Sequence, residues 1–192
     1  MGIRLSSVAR VVALGAVLSE LPFAGVLQAQ PPVAKVRPVE QLDTDRYMGK
    51  WYELARYPNR FQRKCTGDVV VFYAKRDDGR IDVKNTCATA EGSIEAIGVA
   101  RPAEATGPPS VLEVRFAPAF LSFLPLVWGD YWVLDVAPDY STALVGTPER
   151  DYLWLLSRTP DVDAPTYARL IESARTQGYD VSRIERTPQT VR

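Results

Sequence analysis

The sequence predicts an all-β protein: an eight-stranded up-and-down antiparallel β-barrel with one C-terminal α-helix packed on the outside. Three observations favour this fold class: short segments of alternating apolar and polar residues, turn signals between them, and one helical pattern after the last segment. About 160 residues remain after an N-terminal leader, enough for one domain with a sizeable core. An immunoglobulin-like sandwich is the competing fold, but it does not account for the final helix.

The predicted strands follow one another with meander spacing. Alternation is clear in the third strand, where Ile81, Val83 and Asn85 face one side and charged residues the other. The turn at 77–79 before it is a hairpin signal. The predicted strands cover residues 51–56, 68–75, 80–87, 93–101, 111–116, 130–136, 142–146 and 151–158.

The final helix has a start signal and a stop signal. Asp163 is the expected N-cap, Pro165 follows in the first turn, and Gly178 marks the end. The apolar residues between them recur at helical spacing and predict a stripe that packs on the outer wall of the barrel. These residues are Tyr167, Leu170, Ile171 and Ala174.

Residues 1–29 are typical of a secretory signal peptide. Arg4 and Arg10 precede an apolar run over 11–18, and a small-residue exit lies near Ala29, with cleavage after Ala24 as an alternative. A transmembrane anchor would need about 20 uninterrupted apolar residues. The leader contains no cysteine for a lipobox, so the mature protein is expected to be soluble. A flexible arm at 30–40, a folded domain at 41–187 and a disordered tail at 188–192 complete the predicted organisation.

The composition excludes several classes of function. The chain has no histidine, which excludes Ser-His-Asp and Cys-His catalysis, histidine-ligated zinc and a histidine-held haem. Lysine plus arginine equal aspartate plus glutamate at 23 each, so no net field attracts nucleic acid. We therefore expect no catalytic residues, no cofactor, no metal and no nucleic-acid partner.

The two cysteines, Cys65 and Cys87, are expected to form a disulfide in an exported protein, with two free thiols as the alternative. A regular hairpin places residue 65 opposite about residue 91, too far from residue 87 for a bond. The disulfide therefore requires either a bulge or a segment before Cys65 that folds back over the rim.

Three short motifs are predicted to meet at one end of the barrel because strand direction alternates: Gly49-Lys50-Trp51, Asp139-Tyr140 and Arg158. In this order, with a helix after them, the motifs resemble those of the lipocalins, and residues 51–56 are similar to the bacterial branch of that family. Pro138 replaces the threonine that usually precedes the aspartate. The resemblance implies a closed end in which Arg158 covers the Trp51 indole through a cation–π contact.

The alternating pattern also sorts residues to the interior, where they line either a filled core or a cavity. The resemblance favours a cavity, since similar proteins that carry lipids and steroids use Tyr, Asn and Trp at the positions of Tyr73, Asn85 and Trp154. The predicted ligand-binding residues are Val71, Tyr73, Val83, Asn85, Phe116, Tyr131 and Trp154.

The other end of the barrel is expected to be its mouth. Arg60, beside Phe61, could meet a carboxylate or phosphate head group there, although a solvated loop explains it equally well. An apolar run over 120–128 predicts a lid, a membrane contact or a dimer surface. The mouth and lid residues are predicted to be Arg60, Phe61, Phe120, Phe123 and Trp128.

These observations together predict an exported, periplasmic or secreted protein that stores or carries a small amphipathic ligand, such as a fatty acid or lysophospholipid, with peripheral contact to the outer membrane. One alternative is an enzyme of the same fold that acts on a lipid or isoprenoid, with Tyr73 or Glu53 as acid or base. Another is a cell-surface interaction protein with a filled barrel.

Overall fold

A computed structural model of the protein describes residue 2 and residues 35–190. Apart from residue 2, the predicted signal peptide lies outside the described residues. The start of the predicted arm, at 30–34, and the last two residues, 191–192, lie outside them as well.

Eight antiparallel strands form the closed barrel, which confirms the predicted fold class. A single turn of helix, α1 (Thr44–Tyr47), precedes the first strand. Each strand pairs with the next along the chain, and the first also pairs with the eighth, which closes the sheet. The strands are β1 (Gly49–Arg56), β2 (Gly67–Lys75), β3 (Ile81–Thr89), β4 (Gly92–Pro102), β5 (Val111–Arg115), β6 (Gly129–Val136), β7 (Thr142–Gly146) and β8 (Leu153–Ser157).

The C-terminal helix α2 (Ala164–Thr176) lies against the outer wall of the barrel. The Asp163 side chain caps it by accepting the Thr166 N–H, and the chain leaves through Gly178, whose φ is +81°. Leu170 and Ala174 are fully buried against the outer face of β7 and β8. A second apolar cluster lines the inside of the barrel, so the wall is buried on both faces where the helix covers it.

The tail begins in an ordered conformation, which corrects the predicted disorder for residues 188–190. A two-residue strand, β9 (Glu185–Arg186), pairs with the end of β1, where β1 has separated from β2. Beyond it, Gln189 Nε2 donates to the carbonyl oxygens of Glu53 and Val69, and Thr190 N–H donates to Asp68. These residues are ordered because they satisfy backbone groups that the sheet leaves unpaired.

The predicted flexible arm is also ordered from residue 35 onward. Val36 is buried, and Arg37 exchanges two hydrogen bonds with the side chain of Gln177. Val39 N–H donates to the carbonyl of Val133. Prolines at the start of the arm suggested mobility, but these contacts with the barrel and the helix decide the conformation of residues 35–40.

The disulfide between Cys65 and Cys87 is present, with a Cα–Cα distance of 5.6 Å. The first of the two alternatives that the sequence allowed, a bulge, is present. The pairing of β2 with β3 shifts between Gly67 and Val70, where Asp68 adopts a positive φ of 49°. A 3-10 turn over Arg60–Gln62 lies in the loop between β1 and the first cysteine.

Among the described residues, no helix combines the length and the apolar character needed to cross a membrane.

Candidate functional site

The barrel encloses a cavity of about 750 Å³, so its interior is not filled by side chains. The cavity opens at the end that carries the loops after β1, β3, β5 and β7, as the alternation of strands predicted. Its deeper part is lined by aliphatic and tyrosine side chains from nearly every strand. These are Tyr47, Met48, Val71, Tyr73, Ile81, Val83, Ala100, Leu112, Val114, Tyr131 and Leu156.

The opposite end is closed by Trp51 and Arg158. Trp51 is fully buried, and the guanidinium carbon of Arg158 lies 3.8 Å from the centre of its ring. The Arg158 Nη atoms donate to the carbonyl oxygens of Lys50 and Arg46 at 2.7 and 2.6 Å. Partial burial lowers the pKa of the guanidinium from its usual value. One side chain therefore joins the start of β1 to the end of β8.

The other two motif segments belong to this closed end. Gly49 has a φ of +92°, which favours glycine, and a side chain there would approach the Arg158 Nη1 atom at 3.5 Å. The Tyr140 hydroxyl accepts the Asp43 N–H at 2.8 Å, and its ring stacks on the guanidinium of Arg46. Asp139 accepts from the Ser141 backbone and hydroxyl, and these bonds lower the pKa of its carboxyl.

Three tyrosines form the floor of the cavity above this plug. The Tyr131 hydroxyl lies 2.8 Å from that of Tyr47 and 2.7 Å from that of Tyr73. Burial raises the pKa of all three phenols well above the usual value, so they stay neutral at physiological pH. We call Tyr47, Tyr73 and Tyr131 the tyrosine floor. Tyr47 was missed in the sequence because it lies in α1, outside the alternation of the strands.

Asn85 is a polar group partway up the wall. It faces the cavity from β3, two residues beyond Val83, and is partly buried. Within residues 35–190, its side-chain amide has no hydrogen-bond partner. An amide left without a partner in a closed interior costs about 1–3 kcal/mol, so this group is available to a ligand or to water.

An aromatic ladder leads from the wall of the cavity to its mouth. The rings of Trp154 and Tyr152 are stacked at 5.7 Å with an interplanar angle of 5°, and Phe61 lies 5.8 Å from Tyr152. The Trp154 Nε1–H donates to Gln62 Oε1 at 3.0 Å. Gln62 therefore anchors the loop after β1 to the wall, a contact for which the sequence carries no local signal.

Charged side chains at the mouth are of both signs. Arg60 is the single basic residue among the described residues that line the cavity. The acidic lining residues are Glu95, Asp130, Glu149, Asp151 and Glu53, the last of which is paired with Arg56. Desolvation, followed by the neighbouring charge of Glu149, raises the pKa of the Asp130 carboxyl. The rim is thus predominantly negative, with one cationic point.

The predicted lid residues divide into two groups. Arg60, Phe61 and Trp128 line the cavity, as does the predicted ligand-binding residue Phe116. The Trp128 ring is stacked against the guanidinium of Arg101 at 3.8 Å. Phe120 and Phe123 are not among the residues that line the cavity. They are 74% and 76% exposed, on the loop that joins β5 to β6. Their side chains are free of the barrel because the loop folds as short 3-10 turns on top of it.

The two groups suggested as acid or base, Glu53 and Tyr73, lie in different surroundings. The Glu53 carboxylate is 3% exposed and is held by Arg56 Nη1 at 2.7 Å, Gln62 Nε2 at 2.6 Å and the Thr187 hydroxyl. These contacts hold the carboxylate against β1, the loop after it and the C-terminal segment. The raised pKa of Tyr73 makes its phenolate inaccessible near neutral pH.

Residues 35–190 contain no cluster of three acidic or thiol groups placed to bind a metal ion.

Comparison with known proteins places these features in a family. Residues 42–189 match the family model described as a Lipocalin-like domain. Temperature-induced lipocalin-1 of Arabidopsis thaliana is 44% identical over 155 residues, covering 79% of this chain and 82% of the relative. Outer membrane lipoprotein Blc of Escherichia coli is 35% identical over 156 residues, covering 79% and 82%.

Solved structures agree with the fold. Insecticyanin from the tobacco hornworm Manduca sexta superposes with a TM-score of 0.60 at 20% identity, covering 82% of this chain and 86% of that one. At this identity the likeness concerns the fold alone.

Proposed function

The chain belongs to the lipocalin family, and on that premise we propose that it is an exported carrier that binds one amphipathic lipid inside its barrel. The observation that supports this most strongly is the cavity of about 750 Å³, which is within the range of small-molecule sites. Its deep walls are apolar, so burial of an acyl chain there is favoured by about 25 cal/mol per Å². The family binds small hydrophobic ligands, and the choice of lipid is the new part of the proposal.

The charges at the mouth favour a lysophospholipid over a fatty acid. Arg60 offers a guanidinium to a phosphate, while Glu149 and Asp151 on the same rim attract a positive group and repel a bare carboxylate. A zwitterionic head group satisfies both signs. The acyl chain would pass the aromatic ladder and reach the interior. The proposed contacts along its path are Trp154, Phe116, Asn85, Val83, Val71, Tyr73 and Tyr131.

The exposed apolar side chains beside the mouth support a second part of the proposal, transient contact with a membrane surface. Phe120, Phe123 and Leu126 are 74%, 76% and 83% exposed, and Phe61 on the neighbouring loop is 64% exposed. Phe61 and Leu126 line the cavity, and Phe120 and Phe123 lie on the same loop as Leu126. These side chains could enter the head-group region while a lipid is exchanged. The name of the Blc relatives, outer membrane lipoprotein, is consistent with such a location.

Replacing both Phe120 and Phe123 with serine tests the membrane contact. We expect reduced binding to phospholipid vesicles and slower lipid transfer, with unchanged equilibrium affinity for a lysophospholipid in solution. Phe72→Ser is the matched control, because Phe72 is 47% exposed on the barrel wall, away from the mouth. Equal vesicle binding and transfer by the double variant and the wild type would count against this part of the proposal.

A cavity-filling substitution tests the binding site itself. Ala100 is buried on the inner face of β4, so Ala100→Trp places an indole inside the cavity. Ala74→Trp is the matched control, since Ala74 lies on the outer face of β2 and outside the cavity. We expect delipidated wild type and Ala74→Trp to bind lysophosphatidylcholine alike, as measured by tryptophan fluorescence titration, and Ala100→Trp to lose at least tenfold in affinity. Retained affinity in Ala100→Trp would refute an interior site.

We propose that the protein is exported, because residues 1–29 carry the pattern of a signal peptide. N-terminal sequencing of the protein recovered from its cells tests this. The proposal expects a mature chain that starts near residue 25 or 30, outside the cytoplasm, and an uncleaved chain would contradict it.

A further inference from the structure

The tyrosine floor carries a hydrogen that has no acceptor. Each of its three hydroxyls has one hydrogen, and the two contacts from Tyr131 to Tyr47 and Tyr73 use two of them. Within residues 35–190, the three hydroxyls have no other hydrogen-bond partner. Whichever way the chain of bonds runs, one O–H group is left without an acceptor.

The described residues around the floor provide no hydrogen-bond acceptor for that donor. The neighbouring residues that line the deep part of the cavity are aliphatic, among them Val71, Leu112 and Leu156. Tyr47 and Tyr73 are 2% and 6% exposed, and Tyr131 is partly buried. A buried donor without an acceptor is costly, and an acceptor from the ligand removes that cost.

Charge at the floor also favours an oxygen lone pair. The Arg158 guanidinium lies below the tyrosines, beyond Trp51, and bonds only to backbone carbonyl oxygens among the described residues. Its positive charge favours the negative end of a dipole at the inner end of the cavity. A full anion is disfavoured there, because a single free donor does not replace the hydration of a carboxylate.

We propose that the tyrosine floor binds a neutral oxygen at the inner end of the ligand, so that the preferred cargo is an amphiphile whose buried chain carries a hydroxyl or carbonyl group near its end. This inference rests on the proposed function and names the lipid class more narrowly. A plain acyl chain would bring its methyl end against the free hydroxyl and leave it unpaired.

The test compares plain and ω-hydroxylated acyl chains on the same head group. Lysophosphatidylcholines of graded chain length, each made in both forms, are titrated into the delipidated protein by calorimetry. The large head group prevents the reverse orientation. At the length that best spans the cavity, we expect the ω-hydroxylated form to bind about two- to tenfold more tightly, the contribution of one neutral hydrogen bond.

Variants separate the floor from the rest of the cavity. Replacing only Tyr47 or only Tyr73 with phenylalanine leaves one bonded pair and still one free donor, so the preference should remain. The triple variant Tyr47→Phe, Tyr73→Phe and Tyr131→Phe removes the donor and should abolish it. Because the whole network is replaced by rings of the same shape, the triple variant is expected to fold, which the urea midpoint checks. Tyr52→Phe, on the outer face of β1, is the matched control.

The outcomes distinguish the two proposals. Equal affinity of the wild type for both forms at every chain length would overturn the inference and leave the carrier function in place. A preference that persists unchanged in the folded triple variant would overturn it as well. Failure of the wild type to bind any member of the series would overturn both proposals.

Discussion

Replacing Arg158 with glutamine removes the side chain that closes the barrel beneath the cavity. Three backbone carbonyls lose a donor, those of Lys50, Arg46 and Tyr140, and the Trp51 ring loses a cation at 3.8 Å. The cation–π contact is worth roughly 0.5–2 kcal/mol. Hydrogen bonds from a charged group are worth about 1.5–3 kcal/mol each when well shielded. Because this end is partly open to water, which replaces some of these bonds, we expect a loss of about 2–4 kcal/mol.

Urea unfolding followed by tryptophan fluorescence measures this loss. The matched control is Arg186→Gln, because Arg186 also lies 3.8 Å from an aromatic ring, that of Tyr167, but is exposed on the outside of the barrel. We expect the control to change the free energy of unfolding by about 0.5 kcal/mol or less. A loss below about 1 kcal/mol in Arg158→Gln, or an equal loss in both variants, would refute the role of Arg158 as the link between β1 and β8.

Three further predictions concern other parts of the fold. Replacing both Cys65 and Cys87 with serine should lower the free energy of unfolding by about 3 kcal/mol, as expected for a sequence separation of 22 residues. Urea titrations measure this loss, and an unchanged free energy of unfolding would contradict the prediction. Hydrogen bonds from Thr166 lower the pKa of the Asp163 carboxyl in the folded protein. The stabilisation that this carboxylate gives the fold is therefore complete above the pKa of the unfolded chain, and it is lost as the pH falls through the lower pKa of the folded protein. Asp163→Ala should therefore destabilise the protein at neutral pH, by an amount that shrinks on acidification in a pH series of melts. A Cβ on Gly98 would lie 2.8 Å from the Arg115 carbonyl, so Gly98→Ala should cost roughly 1–3 kcal/mol in chemical unfolding, whereas wild-type stability would disprove the close contact.

The barrel was predictable because its signals are local. Alternation in β3 sorts Ile81 and Val83 to the interior without knowledge of any partner strand, and each turn is encoded by the few residues that form it. The helix is equally local, since Asp163 and Gly178 mark its two ends. The strand order followed from the spacing of the strands and the turn signals between them, which favour a meander.

The parts of the site that escaped prediction depend on contacts between distant segments. Tyr47 reaches the cavity from a turn of helix, where period-two alternation has no meaning. Gln62 meets Trp154 across 92 positions of the chain, and neither residue reveals the other. The order of residues 35–40 and 188–190 likewise comes from unpaired groups on the barrel, such as the carbonyl of Val69, which are visible only after the sheet has formed.

Native mass spectrometry of the detergent-free protein tests the central claim most directly. The account predicts a mass increase of one lipid per chain, either as purified or after incubation with lysophosphatidylcholine, and no increase in Ala100→Trp under the same conditions. A wild-type protein that stays at the mass of the bare chain in both experiments, or an Ala100→Trp variant that carries lipid equally well, would contradict the proposal that the barrel is a lipid container.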